Sequence, residues 1–179
     1  MLWLHLAIDF SFVIHISFFS MLKLISSLYK FVLSAWQPLR SALDALQSPA
    51  LLAARVYVGF AFFASGLTKL NEWGTTLALF MDEYKVPLLP PVVAAVMGTA
   101  GELVLPILLM AGLGGRFAAL GLSVINVVAV LALAEIAPAA LQQHYLWGSL
   151  LALLAIFGAG ALSVERWMAP RFCNLPQRA

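Results

Sequence analysis

Glu102 lies near the middle of VAAVMGTAGELVLPILLMAGLGGR, residues 93–116, a stretch long and apolar enough to cross a bilayer. A carboxylate at that depth costs roughly 2.5 kcal/mol or more on insertion scales, so it needs a partner or a task. The preceding apolar stretch, ALLAARVYVGFAFFASGLTKL at residues 50–70, supplies two cations, Arg55 and Lys69. An acid and a base on facing helices can do two kinds of work. They can pair and fix helix register. They can also line a polar cavity for a quinone headgroup, a proton or a small substrate. A third state is a Glu102 that stays protonated and unpaired.

Helical periodicity places these groups. At 100° per residue, Arg55, Gly59, Phe62, Gly66 and Lys69 line one face, and Ala94, Gly98, Glu102 and Pro106 line another. Small residues beside a charge on both faces suit close helix approach, so the two faces are expected to pack together. Glu102 is then expected midway between Arg55 and Lys69, about seven residues or roughly 10 Å from each. Arg55 is the favoured partner, because Lys69 can snorkel outward.

Other polar residues rank below this set. Ser123 and Asn126 share a face, and Asn126 is expected to hydrogen-bond across to another helix. His144 stands where a fourth span begins and is read as a solvated loop histidine, with proton donation near a quinone site as the alternative. Arg116, at a helix start, is expected to anchor the chain at the membrane surface. Thr68 and Asn71 can cap or line the mouth of a cavity. Glu135 is expected among headgroups or loops.

The composition excludes several classes. The chain of 179 residues is 63% hydrophobic and 10% charged, against about 25% charge in a soluble domain. A net charge of +2 without a basic stripe argues against nucleic-acid binding. The single cysteine, Cys173, can form neither an internal disulfide nor a CxxC pair. His5, His15 and His144 have no ligand-like spacing, so no metal is expected. Neither a GxxxxGK[ST] loop nor a GxGxxG fingerprint is present. No cofactor is therefore intrinsic by motif; any redox role needs a bound cofactor, with quinone the candidate, or a partner protein.

These features predict an all-α membrane protein, a four-transmembrane-helix bundle with an N-terminal amphipathic or additional hydrophobic helix. Residues 1–47 form the N-terminal segment, 48–166 the four-helix domain and 167–179 a polar tail. Spans are expected at about 50–70, 91–112, 116–136 and 145–164. Met1–Ser20 reads as a weak span, an interfacial segment or the product of an early start codon. Lys23–Trp36 has the pattern of an interfacial helix, Leu24, Leu28, Phe31 and Trp36 against Lys23, Ser27, Lys30 and Ser34. Gln37-Pro38 is expected to break it, and Ser48-Pro49 to start a new helix. A short amphipathic helix is expected over Thr76–Tyr84. Ala137–His144 reads as a turn. Lys23, Lys30, Arg40, Arg55, Arg116 and the tail arginines fall on one side of the bundle, so both ends of the four-helix domain are expected in the cytoplasm.

Four features in order resemble the DoxX family of small bacterial membrane proteins: ARVYVGFAFFASGLTKL, a loop with the Val86-Pro87 step, GELVLPILLMAGLGGR and FAALGLSVINVVAV. The resemblance covers about Ala53–Arg166 and leaves Met1–Gln47 outside. Arg55, Gly66, Lys69, Glu102 and Arg116 match the family pattern. The resemblance implies a four-helix bundle in the inner membrane, linked to membrane oxidoreductase complexes that include a thiosulfate:quinone oxidoreductase subunit. Thiosulfate chemistry does not transfer, because no cysteine stands near a plausible site. Three functions remain open: a subunit of a quinone-linked oxidoreductase complex, a non-catalytic scaffold or assembly subunit, and a small proton-coupled transporter. Lipid and protein partners are expected, and a homo-oligomer is compatible with all three.

Overall fold

The computed structural model describes residues 2–172, with side chains described for 21–168. Among the described residues six helices follow in order: α1 (Leu2–Asn71), α2 (Trp73–Asp82), α3 (Pro91–Ala111), α4 (Gly115–Ala132), α5 (Pro138–Phe157) and α6 (Val164–Phe172). No strand occurs among the described residues. The chain divides into two compact units, Met1–Leu46 and Gln47–Ala179.

In the first unit, the apolar side chains of Met21–Leu46 are exposed, including Leu24, Leu28, Phe31 and Trp36. Arg40 and Asp44 form an exposed i,i+4 ion pair at 3.8 Å. The expectations for Met1–Ser20, His5 and His15 fall on side chains outside the described residues, as does Cys173.

The predicted breaks at Gln37-Pro38 and Ser48-Pro49 do not occur; both lie inside α1. A proline fixes φ near the helical value and removes a single backbone N–H. The flanking Leu39, Arg40, Gln47 and Ala50 favour helix enough to carry the chain through. Ser48 does not cap a new helix. Its hydroxyl accepts the N–H of Ala161 at 3.3 Å.

The second unit is the bundle. Four helices with described residues are long and apolar enough to cross a membrane: Met21–Asn71 within α1, α3, α4 and α5. Phe60, Val104, Phe117, Val124 and Ile156 stay exposed on their outer faces. Such a surface suits lipid, where all backbone polar groups are satisfied within helices. The core is formed by Val58 and Phe62 of α1, Leu109 of α3, Ala118, Ala119 and Leu122 of α4, and Leu151 and Leu154 of α5. A second cluster joins Phe80 of α2 to Ala94 and Ala95 of α3. The expected face of α3 is therefore shared: its first half, including Gly98 beside Phe80, packs on α2, and its second half packs on α1.

Turn chemistry sets the remaining boundaries. Gly112 ends α3 in the left-handed region at φ 72°, its N–H directed at the carbonyls of Leu108 and Leu109. The last span differs from the expected 145–164. Pro138 occupies the first turn of α5, a position that costs it no hydrogen bond, and Gly158 at φ 77° ends the helix. Thus Gln142, Gln143 and His144 are helical, not part of a turn. The polar stretch after Val164 is also helical; Ser163 caps α6 by accepting the Arg166 N–H at 3.3 Å.

Candidate functional site

The site begins with the contact between α1 and α3. A Cβ placed on Gly66 would lie 3.1 Å from the backbone carbon and Cβ of Glu102, so a side chain there would push the two helices apart by a few tenths of an ångström. Gly59 likewise faces Met110 and the Pro106 carbonyl. The two predicted faces do meet, but in a register that sets Gly66 opposite Glu102. Lys69 is then about one turn from Glu102, whereas Arg55 is eleven residues from Gly66, roughly 16 Å along the axis.

That register overturns the expected Arg55–Glu102 pair. Glu102, 4% exposed, receives two hydrogen bonds from Lys69 Nζ, at 2.5 Å to Oε1 and 2.5 Å to Oε2. Lys69 does not snorkel away; its Nζ also lies 3.4 Å from Ser65 Oγ, and its backbone carbonyl accepts the Thr76 hydroxyl at 3.0 Å. Pro106 cannot donate an N–H to the Glu102 carbonyl, which adds a second polar feature to this level of α3.

Arg55 serves a different place. Fully buried, it donates from Nη2 to the Leu162 carbonyl at 2.5 Å. Its guanidinium lies against Gly112, where any Cβ would overlap Nη1. Together with the Ser48–Ala161 bond and the Glu165 N–H on the Gly112 carbonyl, Arg55 clamps the segment between α5 and α6. Arg116 is exposed at the start of α4 and donates to the Ile156 carbonyl at 3.3 Å. Arg55 and Arg116 thus satisfy carbonyls around the end of α5, a role for cations near a helix C-terminus. Neither forms an ion pair with Glu102.

Asn126 and His144 are brought together. Asn126 Nδ2 donates to the His144 backbone carbonyl at 3.0 Å, and its Oδ1 lies 2.8 Å from His144 Nδ1. The cross-helix bond expected of Asn126 is made, and its partner is the histidine expected in a loop. His144 also meets Trp147 edge-on at 5.2 Å, and Trp147 meets Phe62 at 5.6 Å. Thr99 Oγ1 and Trp147 Nε1 are buried without a hydrogen-bond partner.

Lys69 opens on a pocket of about 370 Å³ at the α1–α2 corner. Ser65, Thr68, Glu72, Thr75, Thr76 and Tyr84 line it with polar groups, and Leu79 and Phe80 form an apolar wall. Tyr84 stacks edge-on against Phe80 at 5.0 Å. Burial, and after it the carboxylates of Glu83 and Glu102, hold the Tyr84 phenol above its ordinary value, so its O–H remains a donor at neutral pH. The sequence places Thr68 at a cavity mouth but Tyr84 only at the end of the short amphipathic helix expected over Thr76–Tyr84. The Thr75-Thr76 pair, the only hydroxyl residues of α2, is the available signal. Trp147 and Thr99 carried none, because single polar atoms on apolar helices look alike until their neighbours are known.

The DoxX family model matches residues 50–135, which include Arg55, Gly66, Lys69, Glu102, Arg116 and Asn126. No match was found among curated proteins or among solved structures. From Ala50 to Glu135 this chain is a DoxX domain, carried by an integral membrane protein.

Proposed function

We propose that the protein is a subunit of a quinone-linked oxidoreductase complex in the bacterial inner membrane, with both ends of the four-helix domain in the cytoplasm. One observation carries this reading: the ion pair of half-buried Lys69 with buried Glu102 adjoins a pocket that combines hydroxyl donors with an aromatic wall. The residues fit a quinone headgroup. Its two carbonyl oxygens need donors; Tyr84 lines the pocket with a hydroxyl and Phe80 beside it, and Lys69 lines it too but would have to turn an N–H away from Ser65 or Glu102 to serve as the second donor. A bound quinone would supply the capacity to take up two electrons and two protons. Lys69 orients and holds positive charge, and Glu102 holds or releases a proton beside it. With one cysteine and no dinucleotide motif in the sequence, electrons would come from a partner protein.

The test is purification in mild detergent, extraction of bound lipid-soluble cofactors, and titration with a short-chain benzoquinone analogue. Lys69→Met and Tyr84→Phe are each expected to weaken binding about tenfold, the worth of one good hydrogen bond. Absence of quinone in the extract together with no binding of the analogue would sink the reading. A scaffold would then be the better description, since a closed Lys69–Glu102 pair also suffices to fix register.

A further inference from the structure

Polar groups from four helices gather at one level of the bundle. Gly66 of α1 faces Glu102. Gly101 of α3 faces Ile125, and Gly121 of α4 faces Leu105, which sets Asn126 level with Glu102 on the neighbouring helix. A Cβ on Gly148 of α5 would lie 3.2 Å from Asn126 Nδ2, one turn from His144. From α4 the group facing His144 is the uncharged Asn126.

The hydrogen bonds around Asn126 fix the state of the imidazole. Its Nδ2 donates to the His144 backbone carbonyl, which can only accept. The amide is thereby oriented, and Oδ1 is the atom that faces Nδ1. Oδ1 can only accept, so Nδ1 must carry a proton. A neutral imidazole then has its lone pair on Nε2. This is the less common arrangement in water, held here by one side chain on a separate helix.

We propose that His144 is a proton-accepting site inside the bundle, locked by Asn126 as the Nδ1–H tautomer, with the Nε2 lone pair as the accepting atom. A proton delivered by water forms an Nε2–H bond and leaves an imidazolium whose Nδ1–H still donates to Asn126 Oδ1; return of that proton to water restores the neutral ring. Trp147 Nε1, one turn beyond His144, and Thr99 Oγ1, one turn before Glu102, are buried polar atoms without protein partners, and buried groups of this kind are commonly satisfied by water. Asn126 acts as a positioning residue. The inference stands whatever occupies the Lys69 pocket.

Nitrogen-15 histidine NMR on the full-length protein in lipid nanodiscs tests the tautomer, with His5 and His15 replaced by Gln so that one ring reports. The neutral ring is expected to show a protonated Nδ1, and Asn126→Leu to shift the population to protonated Nε2. The same spectra recorded against pH test proton uptake: the ring is expected to gain its second proton on Nε2 while Nδ1 stays protonated. The wild-type spectrum requires no change at the site itself. A neutral His144 protonated on Nε2 in that spectrum overturns the lock, and a ring that gains no proton on acidification of the folded protein overturns the accepting role.

Discussion

Lys69 reaches Glu102 because Gly66, one turn before it on the same helix, has no side chain to hold α3 away. The carboxylate is almost wholly enclosed, and both its oxygens are taken by one ammonium group. Removing one partner leaves an uncompensated buried charge, which typically costs about 3–5 kcal/mol. Lys69→Met, which strands the buried carboxylate, should lower stability in detergent by that order, and Glu102→Gln by less because Lys69 reaches the pocket, while the double variant recovers much of the loss. Strictly additive losses in the double variant would show that the pair is not coupled.

The close approach at Gly66 makes a second prediction. A Cβ there meets backbone and Cβ atoms of Glu102, which cannot move aside, whereas at Gly59 the nearest obstacle is the flexible end of Met110. Gly66→Ala should therefore destabilise by about 1–3 kcal/mol, the usual cost of overpacking, and Gly59→Ala by less. Thermal melts of the two variants side by side decide this; a larger loss at Gly59 would contradict the register described above.

Arg55 and Glu102 belong to separate networks. Their substitutions should add within about 0.5 kcal/mol, as expected of sites without shared partners. Arg55→Gln should instead loosen the segment 158–163, whose Leu162 carbonyl loses its donor. Hydrogen exchange by mass spectrometry would show faster exchange there and little change around Glu102. A coupling of more than about 1 kcal/mol between the two positions would restore the direct pairing that the register excludes.

Tyr84 gives a sign to alkaline behaviour. The folded protein keeps the phenolic proton at a pH where an unfolded tyrosine, near 10, releases it. Its contribution is complete below that value and is lost as pH rises through the folded value. Tyr84→Phe should flatten the alkaline limb of a plot of Tm against pH. An identical limb in both proteins would remove Tyr84 as its source.

The sequence by itself determined the number and type of the main elements. Apolar length and sparse charge settle that the helices belong in a bilayer, because no other solvent tolerates Phe60, Phe117 and Ile156 on the outside. Helical periodicity correctly paired the Gly59–Gly66 face with the face of Glu102, since both properties are local to one helix. Register is not local. A shift of four residues along α1, roughly 6 Å, exchanges Lys69 for Arg55 as the partner of Glu102, and nothing in either helix alone fixes that shift. Tertiary structure also decided the fate of Arg55, whose carbonyl partner lies 107 positions away, and of His144, which the polar run Gln142–His144 made look like a turn. The Lys69–Glu102 pair and the Asn126–His144 pair exist only because four helices place single polar residues at one depth, where burial forces each to find its partner.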